Sequence, residues 1–210
     1  MTVGVLWDLD GTLVDSAADI ALVVDELLDH VGLPPLGETR VRGFVGDGAR
    51  SLIDGCVRAA GGHPDPAHVS WFLARYQAFP CRRSRAYPGL LDLVHSLTAP
   101  QAVVTNKPES ISRDLLAALG FAERLIVVIG GDTLPVRKPD PAPLRLAMAQ
   151  LGISEAVMVG DGPHDVHGGH AAGLRVIGVN WGIGNPDGAD VRVADSAELA
   201  EALAGYSVGR

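Results

Sequence analysis

The sequence predicts an α/β fold, a doubly wound parallel sheet with a helical cap inserted after its first strand. Two patterns predict it. From about residue 84 onward, apolar runs of about five residues alternate with amphipathic stretches of about ten, which is typical of parallel strands joined by helices. Between about residues 16 and 83 the periodicity is helical and no strand pattern is present. We therefore expect a core of residues 1–15 and 84–210 and a cap of residues 16–83.

The first strand and the cap helices are predicted from local signals. Residues 3–7 are mostly apolar and indicate a buried strand. Ser16 is a suitable N-cap for a helix that runs to His30, because the apolar residues that follow recur at i, i+3 and i+4. Gly32 ends this helix. Further cap helices are predicted at residues 38–44, 51–60 and 66–79.

The core elements follow in alternation after a turn at Tyr87-Pro88-Gly89. Strands are predicted at residues 102–105, 125–129, 156–159, 175–179 and 191–193, and helices at residues 90–97, 109–119, 142–151, 165–172 and 197–203. Because ligands bind at the carboxyl ends of such strands, the residues that follow each strand are the candidates for a functional site.

The composition argues against several classes of partner. The 210 residues include 17 basic and 25 acidic side chains, a net charge of −8, whereas a protein that binds nucleic acid needs a basic face. No apolar run reaches the roughly 18–20 residues of a membrane span, and no signal-peptide pattern is present. We expect a cytoplasmic protein, a monomer or homodimer, that binds a small molecule and neither nucleic acid nor membrane.

Two carboxylates directly follow the first strand. Asp8 and Asp10 are two positions apart, so both side chains can face one site in an extended segment. At about 4 Å and an effective dielectric constant of about 20, two such anions repel each other by about 4 kcal/mol. The pair therefore predicts a raised pKa or a bound cation, although Asp-Gly alone is also a common turn.

Polar side chains follow later strands as well. Thr105 and Asn106 can donate hydrogen bonds to a phosphate, although both are also common between a strand and a helix. Lys138 precedes a helix, where it could neutralise a phosphoryl group or simply be solvated. Asp161 and Asp165 bring the acids at this edge of the sheet to four. Oxygen ligands of this kind suit Mg²⁺ beside a phosphate.

These four segments resemble, in order, the four motifs of phosphatases of the haloacid dehalogenase superfamily, and the resemblance covers nearly the whole chain. They are Asp8-Leu9-Asp10-Gly11-Thr12-Leu13-Val14-Asp15-Ser16, Thr105-Asn106-Lys107-Pro108, Arg137-Lys138-Pro139-Asp140-Pro141 and Gly160-Asp161-Gly162-Pro163-His164-Asp165. The cap loop Gly46-Asp47-Gly48-Ala49-Arg50 narrows the resemblance to phosphoglycolate phosphatases. Gly162 departs from the family pattern, which more often has Ser, and Trp7 stands where Phe is usual.

The resemblance implies a role for each candidate residue. Asp8 would attack phosphorus and form an aspartyl-phosphate, and Asp10 would protonate the leaving alkoxide and later deprotonate water. The groups that would bind phosphoryl oxygens are the Gly11 amide, Thr105, Asn106 and Lys138. The groups that would hold Mg²⁺ are Asp8, the Asp10 backbone carbonyl, Asp161 and Asp165, the last directly or through water.

The substrate that the resemblance implies is 2-phosphoglycolate. Arg50 is the candidate for its carboxylate, because a guanidinium binds a carboxylate with two hydrogen bonds, but a solvated helix residue is equally expected there. His164, His167 and His170 lie near the acids. Their spacing, and the glycines among them, favour surface or packing histidines over a metal site.

Three other functions share parts of this pattern. A receiver-like signalling module also takes phosphate onto an Asp beside Mg²⁺, but the cap and Asp10 argue against storage of phosphate. A 2-haloacid dehalogenase needs neither Asp10 nor Mg²⁺. A sugar phosphomutase of the same capped family needs both, so only the likeness of the whole motifs favours a phosphatase.

Overall fold

The centre of the molecule is a six-stranded parallel sheet; the structure, a computed structural model, describes residues 3–209. The strands are β1 Gly4–Trp7, β2 Val14–Asp15, β3 Arg85–Ala86, β4 Gln101–Val104, β5 Val127–Ile129, β6 Ala156–Gly160, β7 Arg175–Val179 and β8 Val191–Val193. The large sheet has the order β5-β4-β1-β6-β7-β8, and its neighbouring strands are parallel throughout.

Helices cover both faces of this sheet. They are α1 Ala17–His30, α2 Gly37–Arg42, α3 Ala49–Ala59, α4 Pro66–Ala78, α5 Leu90–Ser96, α6 Glu109–Ala118, α7 Ala142–Leu151, α8 Pro163–Ala172 and α9 Ser196–Gly205. Val5 and Trp7 belong to one hydrophobic cluster and Leu6 to another, because successive side chains of a strand point to opposite faces. The predicted doubly wound α/β fold is confirmed.

The register of the sheet brings the ends of three strands together. Trp7 at the end of β1 lies opposite Val103 of β4 on one side and Val159 of β6 on the other. The strand order reverses at β1, and loops that follow parallel strands at such a point form a crevice. The segments that follow β1, β4 and β6 therefore converge on one edge.

The cap helices α1–α4 pack around a separate hydrophobic cluster, which Ile111 of α6 joins from the core. A two-stranded antiparallel ribbon joins cap and core: Val14 pairs with Ala86, and Asp15 pairs with Arg85. The sequence does not predict this ribbon, because a strand of two residues is too short to show an alternating pattern.

The buried carboxylate of Asp19 fixes the segment that returns from the cap. It accepts hydrogen bonds from the amides of Arg82, Arg83 and Ser84 at 2.8–3.0 Å and from the Ser84 hydroxyl at 2.6 Å. Burial disfavours the ionised form, but these hydrogen bonds, Ser84 first, outweigh it, and the pKa of Asp19 is lowered. An ionised group on α1 therefore holds the connection in place.

Some predicted boundaries shift in the structure. β5 begins at Val127 rather than at residue 125, because the Leu125 amide closes a turn onto the carbonyl of Phe121. α3 begins at Ala49 rather than at residue 51, directly after Gly48, whose φ of +83° suits glycine. Among residues 3–209, no helix is both long and apolar enough to cross a membrane.

Candidate active site

Asp8, Lys138 and Asp165 form a buried ion cluster at the carboxyl edge of the sheet. Asp8 directly follows β1, Lys138 lies in the loop before α7, and Asp165 lies in the first turn of α8. The Lys138 Nζ donates to Asp8 Oδ1 at 2.7 Å and to Asp165 Oδ1 at 2.6 Å. Only 2% of the Lys138 side chain is exposed, so this ammonium group is fixed between the two carboxylates.

The carboxyl groups of this cluster, those of Asp8, Asp161 and Asp165, outnumber its one ammonium group. Burial raises the pKa of Asp8; attraction to Lys138 lowers it, and repulsion from Asp165 and Asp161 raises it further. Burial lowers the pKa of Lys138, but attraction to Asp165 and Asp8 outweighs it, so that pKa is raised. The net effect raises the pKa of Asp8 to about 8, and a bound cation, which stabilises ionised carboxylates, would lower it.

Backbone and hydroxyl donors orient Asp161. Its Oδ2 accepts hydrogen bonds from the amides of Ile183 and Gly184 at 2.7 and 2.8 Å, and its Oδ1 accepts one from the Thr12 hydroxyl at 3.2 Å. Burial and repulsion from Asp165 nevertheless raise the pKa of Asp161. A Cβ at Gly182 would collide with the Asp161 side chain, so glycine permits this close approach.

The carboxylates of Asp8, Asp161 and Asp165 fit a divalent metal. One oxygen from each lies within 4.8 Å of the others, and all three residues are buried. Oxygen donors alone suit a hard cation such as Mg²⁺, and the crowding of negative charge gives such an ion a favourable position. The Asp10 carboxylate instead accepts hydrogen bonds from Lys107 and Ser16. Its backbone carbonyl stays the predicted fourth ligand.

Asp10 forms an ion pair that the sequence does not predict. Lys107 Nζ donates to both Asp10 carboxylate oxygens at 3.0 and 3.1 Å and contacts the Tyr76 hydroxyl of the cap at 3.3 Å. The Ser16 hydroxyl donates to Asp10 Oδ1 at 2.5 Å. Lys107 follows Thr105 and Asn106 in the same motif. The sequence therefore places it at the carboxyl edge of the sheet but does not predict that it pairs with Asp10.

Two predicted phosphate donors already have partners. The Gly11 amide donates to the Val14 carbonyl at 2.9 Å. The Asn106 side-chain amide donates to the carbonyls of Gly46 and Lys138 at 2.9 and 3.0 Å. In this arrangement both groups direct these donors at protein carbonyls, and their contact with phosphate stays a prediction. Asn106 joins the cap loop to the loop that carries Lys138.

Thr105 and Lys138 lie where the sequence predicts them. Both residues are buried and line the same cavity as Asp8. Thr105 Oγ1 accepts a hydrogen bond from the Lys107 amide at 3.2 Å, which leaves its own proton for another acceptor.

The cap loop between α2 and α3 contacts the core at three points. Gly46 accepts from Asn106, the Asp47 carbonyl accepts from Arg137 Nη1 at 3.1 Å, and the Asp47 carboxylate lies 2.5 Å from His164 Nε2. His164 also lines the cavity, so of the three predicted surface or packing histidines it alone borders the site. His170 pairs with Asp190 elsewhere on the surface.

Arg50 lies outside the site. Its side chain is 69% exposed, its Nε lies 3.8 Å from Asp54 on the same helix, and it does not line the cavity. The physical reason is that α3 begins at Ala49, which turns Ala49 and Leu52 toward the cavity and Arg50 toward solvent. The contact of Arg50 with substrate therefore stays a prediction, and in this arrangement its guanidinium lies beside Asp54.

One known protein family matches most of this chain. The family described as haloacid dehalogenase-like hydrolase matches residues 5–179. The chain belongs to this family.

Similar proteins among the haloacid dehalogenase-like hydrolases carry two different names. The chain is 36% identical to a phosphoglycolate phosphatase of Chromobacterium violaceum, over 95% of each chain. It is also 36% identical to an N-acetylmuramic acid 6-phosphate phosphatase of Pseudomonas aeruginosa, over 95% of this chain and 93% of that one. A crystal structure of a predicted phosphoglycolate phosphatase from Haemophilus somnus 129PT superposes with a TM-score of 0.87 at 29% identity, over 96% and 98% of the two chains. The predictions of the family and of a phosphatase are confirmed.

Two departures from the usual pattern of haloacid dehalogenase-like hydrolases have structural explanations. Trp7 donates its indole N–H to Gln101 Oε1 at 3.0 Å, so the larger ring is buried with its polar group satisfied. Gly162 has no side chain to cap α8, and its amide instead donates to Asp165 Oδ2 at 3.1 Å. The carboxylate that would face the metal therefore also fixes the turn that carries it.

Proposed function

We propose that the protein is a Mg²⁺-dependent phosphomonoesterase that acts on a small phosphorylated metabolite through an aspartyl-phosphate at Asp8. The observation that carries the proposal is the buried cluster at the end of β1. There Asp8 lies 2.7 Å from the Lys138 ammonium group, beside Asp161 and Asp165. A nucleophile, a fixed cation and candidate metal ligands thus share one cavity.

The reaction would proceed in two phosphoryl transfers. An Asp8 oxygen attacks phosphorus, the bond from phosphorus to the ester oxygen breaks, and the alcohol leaves with a proton from Asp10. Asp10 then takes a proton from water, and the water oxygen attacks the phosphorus of the aspartyl-phosphate. Inorganic phosphate leaves and the Asp8 carboxylate is regenerated, so one ester and one water give one alcohol and one phosphate.

Negative charge is the main barrier to this reaction, since a carboxylate attacks an anionic ester. Asp8, Asp161, Asp165 and the Asp10 carbonyl would hold Mg²⁺, which when bound polarises a phosphoryl oxygen and offsets its charge. Lys138 adds a fixed positive charge, and the Thr105 hydroxyl donates a hydrogen bond to the same oxygens.

We also propose that residues 16–83 are a cap that closes over the bound ester. The support is the cap loop, whose Gly46 and Asp47 contact Asn106, Arg137 and His164 from three separate core segments. Closure would exclude water from the phosphoryl group until the alcohol has left.

The names of similar proteins supply two candidate substrates. The sequence resemblance proposes 2-phosphoglycolate as the substrate, and several relatives are named phosphoglycolate phosphatase. Another relative at 36% identity is named for N-acetylmuramic acid 6-phosphate. The family therefore supports the phosphomonoesterase proposal, with 2-phosphoglycolate as the first substrate to test.

The test is phosphate release from p-nitrophenyl phosphate with Mg²⁺, with EDTA, and with the variant Asp8→Asn. We expect turnover with Mg²⁺, loss with EDTA that added Mg²⁺ reverses, and background activity in a variant whose circular dichroism is unchanged. Turnover retained by Asp8→Asn would refute nucleophilic catalysis by Asp8. Isomerisation of a hexose phosphate without phosphate release would indicate a phosphomutase instead.

A further inference from the structure

The carboxylate of Asp161 is held by donors from two separate loops. The amides of Ile183 and Gly184, in the loop that follows β7, donate to its Oδ2 at 2.7 and 2.8 Å. The Thr12 hydroxyl, in the loop that follows β1, donates to its Oδ1 at 3.2 Å. Because each oxygen is fixed by a different loop, the direction of the carboxylate depends on how the two loops are joined.

Trp181 joins these two loops. Its indole N–H donates to the carbonyl of Thr12 at 3.1 Å, and the hydroxyl of the same buried threonine donates to Asp161. In the chain, Trp181 directly precedes Gly182, which passes so close to Asp161 that a Cβ on it would lie 2.3 Å from the Asp161 Cβ. One side chain therefore sets the position of both groups of donors to Asp161.

The ring of Trp181 is itself anchored. It packs against the hydrophobic cluster that contains Val5 and Trp7, and its centre lies 6.2 Å from that of the Tyr87 ring. Tyr87 directly follows β3, and its amide donates to the Leu13 carbonyl at 3.0 Å. Trp181 does not line the cavity, so it can affect a metal there only through the residues that it fixes.

We infer that Trp181 is a positioning residue for the metal, which fixes the Asp161 carboxylate in the direction that a divalent cation requires. The inference rests on the proposed function, because it concerns the Mg²⁺ site of that reaction. Groups that orient a metal ligand without touching the metal contribute about 10- to 100-fold to its affinity. Loss of the hydrogen bond from Trp181 to Thr12 should therefore weaken metal binding and leave the chemistry of the metal-loaded enzyme nearly unchanged.

The experiment measures the binding of Mn²⁺ alone, by the electron paramagnetic resonance signal of the free ion. Trp181→Phe keeps an aromatic ring against Tyr87 and removes the N–H, so we expect its Kd for Mn²⁺ to rise about tenfold. Trp71→Phe is the matched control and should leave the Kd unchanged, because Trp71 stacks on His30 within the cap and lies outside the cavity. Equal Kd values for the wild type and Trp181→Phe overturn the inference.

Activity distinguishes positioning of the metal from a general structural effect. Trp181→Phe should raise the Mg²⁺ concentration for half-maximal phosphate release from p-nitrophenyl phosphate by about tenfold. At saturating Mg²⁺ its kcat should stay within about twofold of the wild-type value. A damaged fold would instead lower kcat at every Mg²⁺ concentration. A loss of kcat with an unchanged dependence on Mg²⁺ overturns the inference.

A measurement on the wild type tests the same link without a variant. If the hydrogen bond from Trp181 to Thr12 favours metal binding about tenfold, bound metal must favour that bond by the same factor. Mg²⁺ should therefore slow hydrogen exchange of the Trp181 indole N–H by up to about tenfold and leave that of Trp71 unchanged. An unchanged Trp181 rate at saturating Mg²⁺ overturns the inference, even where Trp181→Phe fails to fold.

The outcomes separate this inference from the function on which it rests. Phosphate release with Mg²⁺ together with equal Kd values for Mn²⁺ overturns the inference and leaves the proposed phosphomonoesterase intact. Weaker Mn²⁺ binding by Trp181→Phe without phosphate release from any ester supports the positioning role and overturns the proposed reaction. Mn²⁺ binding that is the same in Asp161→Asn as in the wild type overturns the inference, because Trp181 is argued to act through that carboxylate.

Discussion

At the scale of single residues, Lys107 connects the candidate acid/base to the cap. Its ammonium group contacts Asp10 and the Tyr76 hydroxyl, and it lies 4.4 Å from the centre of the Tyr76 ring. Burial lowers the pKa of Lys107, but attraction to Asp10 and Tyr76 outweighs it and the pKa is raised. Lys107 is therefore a cation at neutral pH and fixes where the Asp10 carboxylate lies.

Removal of this cation should destabilise the protein. We expect Lys107→Met to lower the free energy of unfolding by about 3 kcal/mol, because it leaves the Asp10 carboxylate in a buried site without its partner. Tyr76→Phe keeps the ring and removes only the hydroxyl, so its cost should be about 1 kcal/mol. Urea unfolding at pH 7 measures both values. A Lys107→Met protein as stable as the wild type would show that the ion pair contributes nothing net.

At the scale of secondary structure elements, α1 fixes the returning cap connection through Asp19. Asp19→Asn should lower the free energy of unfolding at pH 7 by about 2 kcal/mol, because an amide cannot accept all the hydrogen bonds that Arg82, Arg83 and Ser84 donate to the carboxylate. Urea unfolding measures this value. Asp92→Asn, at an exposed position of α5, is the matched control and should change it little.

The same contacts predict the pH dependence of stability. The pKa of Asp19 is lowered in the folded state, so its stabilisation is fully present above the unfolded-state pKa of about 3.9. It is lost as the pH falls from that value through the folded-state pKa. The stability difference between wild type and Asp19→Asn should therefore shrink below about pH 4. A difference that stays constant from pH 7 to pH 3 would contradict an ionised Asp19 as its source.

The loop after β7 determines the orientation of Asp161. Gly182→Ala should raise the Mg²⁺ concentration for half-maximal activity, because a Cβ at this position collides with the Asp161 side chain. Gly205→Ala at the end of α9, where a Cβ meets open space, is the control. Phosphate release titrated with Mg²⁺ measures the effect. Identical titrations of the two variants would mean that Asp161 does not contribute to metal binding.

At the scale of the whole molecule, the sequence predicted what depends on topology. Apolar runs identified β1, β4 and β6, and the rule that ligands bind where parallel strands end placed Asp8, Asp161 and Asp165 at one edge. Residue type and strand order are sufficient for this prediction, because the sheet itself brings the loops together. Helical periodicity between residues 16 and 83, without a strand pattern, predicted the cap inserted after the first strand.

The sequence did not predict what depends on individual hydrogen bonds. Gly11 and Asn106 have the chemistry of phosphate donors, but the structure uses their donors for Val14, Gly46 and Lys138. The direction of Arg50 depends on its place in the first turn of α3. Neighbouring side chains of a helix lie about 100° apart, so Arg50 points away from the cavity that Ala49 and Leu52 line. Such details follow from packing between cap and core, which no local pattern contains.

The proposed closure of the cap involves the whole molecule, and one side chain should alter it. The carboxylate of Asp47 is 61% exposed and contacts His164 of the core, while the backbone of Asp47 separately accepts from Arg137. Asp47→Ala removes only the side-chain contact. An exposed pair of this kind contributes about 0.2–1 kcal/mol, because solvent screens it.

Asp47→Ala should therefore raise KM for p-nitrophenyl phosphate by at most about fivefold and leave kcat nearly unchanged, since the closed state becomes less populated but its chemistry stays the same. Asp54→Ala is the matched control, because its carboxylate lies on α3 of the cap and pairs with Arg50 away from the core. Initial rates with saturating Mg²⁺ measure both constants. A loss of kcat at constant KM would instead assign Asp47 to the chemical step, and equal effects of the two variants would attribute the change to cap charge rather than to closure.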